Sequence, residues 1–370
     1  MTVTEGLYKY GASGIKTLQN TFPNSDNFFF TVTQVSDPLY AFTILFPLAA
    51  SLNTTLAADI LVVSILAEWS NTLLKWLLME DRPYWWVREM AFLEKPSLTN
   101  VPPPLRQTHL TCETGPGSPS GHVMGATAVA YVVVQWCIER FVVNNSRLSN
   151  GQKKNVIRFL WLLFVLAMVF VALSRLYVAT HFPHQCFLGF FCGLGVGWLF
   201  TSKQSSVTRW WQDGSRPKLL LASLLMSSIS VGAYWLQKAL GIDPQWSVRM
   251  AFKWCDSPDY IHVNTTPLFS LVRDAGAVFG VALASPVSRF RKPQSYLVGI
   301  GCCFLLAVAF RMATDAIPTK DVHVFYGCQF MLFATEAFLL LIIPQKLAAW
   351  YTGQKNRTVY WTCWTTEWQD

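Results

Sequence analysis

Charge is what this sequence has least of: only 14% of its 370 residues are Asp, Glu, Lys or Arg, where a soluble domain has roughly a quarter. With 52% hydrophobic and 15% aromatic residues, the chain cannot coat a globule with hydrated surface, which excludes an ordinary water-soluble fold. A compact apolar leader is also missing. Residues 1–26 are polar and include Lys9, Lys16 and Asp26, so no cleaved signal peptide is expected and the first apolar span has to act as the anchor. The nine cysteines contain no Cys-x-x-Cys pair and no Cys/His cluster at zinc spacing, which argues against a metal framework. Linkers, low-complexity tracts and fixed-period repeats are absent, so residues 1–370 read as one membrane-embedded domain.

Long apolar runs are abundant. Nine recur, at about 27–49, 60–79, 122–143, 158–176, 181–200, 218–240, 268–285, 296–314 and 323–345. Each has roughly the 20 residues a helix needs to cross a hydrocarbon core of ~30 Å. The expected architecture is therefore all-α, a polytopic bundle of about nine transmembrane helices in a lipid bilayer. Cys137, Cys186, Cys192, Cys302, Cys303 and Cys328 fall inside apolar segments, where a thiol packs as a small hydrophobe. Cys112, Cys255 and Cys363 are loop-borne, and the first two could pair if they share an oxidising face.

The connections form two alternating sets. Short basic ones carry Arg140, Arg147, Lys153, Lys154 and Arg158, then Lys203, Arg209, Arg216 and Lys218, then Arg289, Arg291 and Lys292, with Lys346, Lys355 and Arg357 in the tail. Short cationic loops stay cytoplasmic. The longer loops 80–121 and 241–267 mix Glu80, Asp81, Glu89, Glu94 and Glu113 with Arg82, Arg88 and Arg106, and are expected on the lumenal side. This puts the N-terminus in the lumen and the C-terminus in the cytoplasm. The net charge of +8 is then explained by basic flanks meeting anionic lipid, with no need for nucleic acid. Of the sequons at Asn53, Asn144, Asn264 and Asn356, only Asn264 is lumenal in this topology.

Three segments place unusual polar groups near the lumenal boundary, where ionisable residues are costly enough to suggest function. In Lys75-Trp-Leu-Leu-Met-Glu-Asp-Arg82-Pro83, seven residues make nearly two helical turns, so Lys75 and Arg82 share a face and invite an anion. Taken alone, both could equally be snorkelling to headgroups. In Gly115-Pro-Gly-Ser118-Pro-Ser120-Gly121-His122, a glycine-rich turn opens a helix, an arrangement whose amides bind phosphate oxygens, and His122 can hand a proton to a leaving group. In Ser174-Arg175-Leu-Tyr-Val-Ala-Thr-His181-Phe-Pro-His184-Gln185, Arg175 can clamp phosphate and a histidine can attack phosphorus, with His184 a rival to His181.

Together these residues match the pattern K-x6-R-P, P-S-G-H and S-R-x5-H, which resembles the vanadium haloperoxidase and type 2 phosphatidic acid phosphatase superfamily. Within it, Arg82-Pro-Tyr-Trp-Trp-Val87, Cys112-Glu-Thr-Gly-Pro-Gly-Ser-Pro-Ser-Gly-His122, His181-Phe-Pro-His-Gln185 and Phe252-Lys-Trp-Cys255 are similar to the glucose-6-phosphatase catalytic subunits, over about residues 25–345. The resemblance implies a phosphatidic acid phosphatase type 2-like core in the endoplasmic reticulum membrane with a lumenal pocket. It implies hydrolysis of glucose 6-phosphate without cofactor or metal, possible coupling to a glucose-6-phosphate transporter, and a phosphohistidine on His181. Lys75, Arg82, Arg175, Ser120 and Gly121 would hold phosphate and His122 would be the general acid. The acid that the wider superfamily places four residues after the nucleophile is Gln185 here, as in the sugar branch; Asp37 in the first span is the candidate to orient His181 instead, or else it caps a helix that starts near Pro38.

Competing functions are hydrolysis of another sugar phosphate or of a lipid phosphate, and a non-catalytic membrane protein. Glu68 and Glu336 could pair with Lys75, line the pocket or serve as buried structural hydrogen-bonding groups; Trp85 and Trp86 could face the sugar or anchor at the interface. Lys253, Trp254 and His262 could belong to a lumenal lid.

Overall fold

The computed structural model describes residues 3–37, 45–46, 48–49, 53–93, 104–202, 211, 214–285, 296–317 and 321–351. The later part of the first expected span, Lys203, Arg209, Arg289, Arg291, Lys292, Lys355, Arg357, Asn356 and Cys363 lie outside them, as does the Cys303 side chain. The described residues are helical almost throughout. In chain order they form α1 (Val3–Thr21), α2 (Asp26–Val35), α3 (Thr54–Leu78), α4 (Pro83–Leu93), α5 (Gly121–Cys137) and α6 (Asn150–Tyr177). Then follow α7 (Pro183–Thr201), α8 (Arg216–Ala239), α9 (Trp246–Trp254), α10 (Pro267–Ala284), α11 (Tyr296–Ala316) and α12 (Val322–Tyr351).

Among the described residues, seven helices are long and apolar enough to cross a membrane, and α11 adds a shorter apolar stretch, Phe304–Thr314. α2 stops at Val35, with Ser36 as its C-cap, two residues before Pro38, which disfavours helical geometry in the residue preceding it. A polar N-terminal segment with no apolar run nevertheless folds: α1 buries a single stripe, Tyr8, Ala12, Ile15 and Gln19, at helical spacing.

Local chemistry sets the helix ends. Asn53 caps α3 by accepting from the Leu56 amide, and Ser149 with Gln152 makes a reciprocal capping box on α6. Pro183, Pro217 and Pro267 sit in the first turns of α7, α8 and α10, where no amide donor is needed. Met79, at φ 49°, ends α3 in the left-handed region and turns the chain toward Arg82.

α10 occupies the centre of the bundle, packed by α3, α8 and α12. α6, by contrast, presents Phe159, Leu162, Leu166 and Phe170 outward, as a lipid-facing helix does. α5 and α7 approach closely along Gly189, Gly193 and Gly197. A Cβ on Gly189 would stand 2.8 Å from the Ser120 carbonyl oxygen, and one on Gly193 would collide with that of Met124. This contact fixes the N-terminus of α5 against that of α7, and both carry site residues.

Candidate active site

Arg82 ties three segments together. It is fully buried; Nε donates to the Gly115 carbonyl at 2.6 Å, Nη2 to that of Pro116 at 3.1 Å, and Nη1 to that of Thr180 at 3.2 Å. The glycine-rich turn and the histidine turn are thus both hung on one guanidinium. Gly117 packs where a side chain would collide with the Asp81 carbonyl and Gln185, so only glycine fits that approach. The histidine turn follows α6 through Ala179 at φ 55°, a left-handed conformation unusual outside glycine, braced by the Thr180 amide and hydroxyl on the Arg175 carbonyl.

His181 is completely buried, and its Nδ1 lies 2.7 Å from the Gly117 carbonyl. A carbonyl only accepts, so Nδ1 carries the proton and Nε2 presents its lone pair, 3.4 Å from Arg82 Nη1. Burial, and after it the charge of Arg82, keeps the imidazole well below the usual histidine range, hence neutral. Gln185 makes no hydrogen bond to this ring among the described residues. Its amide accepts from the Phe182 amide and donates to Glu80 and the Asp81 carbonyl, locking the turn. His184 faces elsewhere, bonded to Glu80 at 2.9 Å and stacked on Phe182 and Tyr8.

At the centre stands a side chain that motif spacing did not single out. The Glu113 carboxylate pairs with Arg82 at 2.9 Å and with Arg175, and it lies 3.7 Å from His122 Nδ1 and 3.9 Å from His181 Nε2. Burial opposes its charge, but the Arg175 and Arg82 guanidiniums hold its carboxyl well below the usual carboxylate range. Its place is set by a neighbouring loop. Cys112 and Cys255 form a disulfide, the His262 amide donates to the Cys112 carbonyl, and Thr114 bonds Thr265 and His262. The signal available was the acid inside Cys112-Glu-Thr-Gly115, read only as a loop charge.

Asp37 sits apart from the expected place. Its Oδ2 is 3.8 Å from His122 Nε2, so the carboxylate backs His122, while the Gly117 carbonyl orients His181. The Ser120 amide is used by the Gln185 carbonyl, and its buried hydroxyl has no hydrogen-bond partner among the described residues. Lys75, Glu113, Gly121 and His122 line a recess that also takes in Glu68 of α3 and Ser270 and Arg273 of α10. Glu68 is on that recess and pairs with Arg273 instead of Lys75. Trp85 and Trp86 are buried with Tyr8 and Phe182 in an apolar cluster and do not line the recess. Lys253 reaches Glu89, Trp254 stacks under Lys253, and His262 bonds the His109 carbonyl; from this loop it is Asn264 and Thr265 that line the recess.

The helical bundle gathers two histidines and two arginines around the buried Glu113 carboxylate, with Lys75 on the adjoining recess; the PAP2 superfamily matches residues 56–209, a range containing all three motif segments. Glucose-6-phosphatase 2 of Homo sapiens is 36% identical over 331 residues, 88% of this chain and 91% of that protein. Glucose-6-phosphatase catalytic subunit 1 of Bos taurus is 32% identical over 364 residues, 95% and 97%, and that of Felis catus 35% over 356 residues, 92% and 95%. The chain belongs to the glucose-6-phosphatase catalytic subunit family. No solved structure matches it significantly.

Proposed function

We propose that this chain hydrolyses glucose 6-phosphate to glucose and orthophosphate, at the lumenal face of the endoplasmic reticulum membrane, by way of a phosphoryl group carried on His181. The observation that carries the reading is the Glu113 carboxylate, a built-in anion held between both guanidiniums and both imidazoles. A phosphoryl group taking its place meets Arg82 and Arg175 on its oxygens, with Lys75 and the α5 N-terminus at the rim of the recess. The Nε2 lone pair of His181 attacks phosphorus, the P–O bond to the sugar breaks, and His122 protonates the departing oxygen. Water then attacks phosphorus, the P–N bond breaks, and His122 takes the proton of that water. Asp37, behind His122, steadies the cationic form in which it acts as an acid. Fixed cations supply the charge stabilisation that phosphoryl transfer needs.

The lumenal siting is supported by two features. The site lies at the C-terminal ends of α3 and α6 and the N-terminal ends of α5 and α7, whereas Arg140, Arg147, Lys153 and Lys154 cluster at the opposite ends of α5 and α6. The Cys112–Cys255 disulfide, close to the site, suits an oxidising compartment. A substrate made in the cytoplasm would then need delivery, so a glucose-6-phosphate transporter is the partner this reading calls for. Acid-labile label from [32P]glucose 6-phosphate should be trapped on wild-type protein in detergent and lost in His181→Ala. Undiminished trapping in that variant removes the proposed nucleophile.

A further inference from the structure

We propose that Glu68 and Arg273 read the hydroxyl groups of the sugar, making the far end of the recess the hexose subsite; this rests on the phosphatase reading above. One end of the recess is formed by Lys75, Glu113 and His122, where phosphate would bind. Away from these lie Glu68 of α3 and Ser270 and Arg273 of α10, on the same recess. Glu68 and Lys75 are seven residues apart on one helix, a rise on the order of 10 Å. That distance suits a substrate whose phosphate hangs from an exocyclic arm of a six-membered ring.

The bonding at that end is incomplete. Glu68 is 9% exposed; its Oε2 accepts from Arg273 Nη2 at 3.2 Å, while Oε1 is buried without a hydrogen-bond partner among the described residues. Arg273 is 7% exposed, spends Nε on Asp274 at 2.9 Å and Nη2 on Glu68, and leaves Nη1 unbonded among the described residues. An ion pair serving only to join α3 to α10 would be expected to close both carboxylate oxygens. Here an acceptor and a donor lie side by side on the recess. Adjacent ring hydroxyls match that pair: one donates to the carboxylate and its neighbour accepts from the guanidinium. A ring without hydroxyls would leave both groups desolvated and unpaired, which is how such a site rejects the wrong substrate.

The test uses full-length protein in detergent micelles and two substrates, glucose 6-phosphate and cyclohexylmethyl phosphate, which keeps the ring and the phosphate arm but has no hydroxyls. Wild type should favour glucose 6-phosphate at least tenfold in kcat/KM; a smaller preference overturns the proposal without any variant. Glu68→Gln should lower kcat/KM for glucose 6-phosphate by about 10- to 100-fold and leave cyclohexylmethyl phosphate within threefold. Arg273→Lys, which keeps the cation and loses the fork, should show the same split and serves if Glu68→Gln does not fold. Equal losses on both substrates would make the pair a structural pillar, and no loss on either would remove it from the site; each outcome overturns the proposal. If wild type hydrolyses neither substrate, the phosphatase reading itself fails, a result distinct from these.

Discussion

The Glu113 carboxylate and a substrate phosphate would compete for the same place, because Arg82 and Arg175 each pair with the carboxylate across a fully buried site. In the free protein it neutralises two guanidiniums that would otherwise repel each other away from water. Removing one partner of such a buried set costs about 3–5 kcal/mol, because the remaining charges lose their counterion. Glu113→Gln should therefore lower the melting temperature of the detergent-solubilised protein in the absence of anion. Saturating inorganic phosphate, which supplies the missing charge, should recover most of that loss while shifting wild type less. Equal melting temperatures for variant and wild type without phosphate would show that the arginines do not depend on this carboxylate. The cations and histidines are legible in the sequence because their spacing is set by helix geometry and short turns. Glu113 is not, because its position comes from a long-range pairing of its loop with residues 255–265, which no local pattern encodes.

Spans two to nine were legible as elements from apolar length alone, and capping residues or first-turn prolines mark the starts of α3, α6, α7, α8 and α10. The first was not. Within the apolar run from 27 to 49, α2 ends at Val35, and the Asp37 carboxylate just beyond it lies 3.8 Å from His122 Nε2. α1 was hidden for the opposite reason: its apolar stripe is one narrow face of a polar segment, visible only once Tyr8 stacks on Phe182. The α5–α7 contact carries a prediction about elements. A Cβ at Gly193 collides with the Met124 carbonyl, so Gly193→Ala has to push α5 away from α7 and move His122 relative to His181. A misplacement near 1 Å costs on the order of 100-fold in rate. Gly195, two positions further along the same helix, has nothing within 4 Å of an added Cβ. Gly195→Ala gives the same propensity change, so it should leave kcat within twofold. Equal kcat in the two variants would mean that the glycine contact does not align the histidines.

For the whole molecule, the disulfide joins parts that the membrane bundle does not hold together. The motif residues sit on α3, α5 and α6 and in the short turns that flank them, fixed by Arg82 and by helix packing, whereas Glu113 and the wall made by Asn264 and Thr265 hang on loops tied by Cys112–Cys255. This division of labour predicts two separable effects of Cys255→Ser. Stability should fall by about 2–4 kcal/mol, the usual worth of a disulfide closing a long loop. The KM for glucose 6-phosphate should rise severalfold as the recess wall loosens, yet His181 should still be phosphorylated, because its tautomer depends on Gly117 and its arginine on the histidine turn. Cys192→Ser, a free half-exposed thiol on α7, is the control and should change neither quantity. Thermal melts, steady-state kinetics and the acid-quench trap on the two variants would separate the effects. Loss of trapped phosphate in Cys255→Ser would show that the nucleophile too is held by the disulfide-tied loops, and that the bundle alone does not build the site.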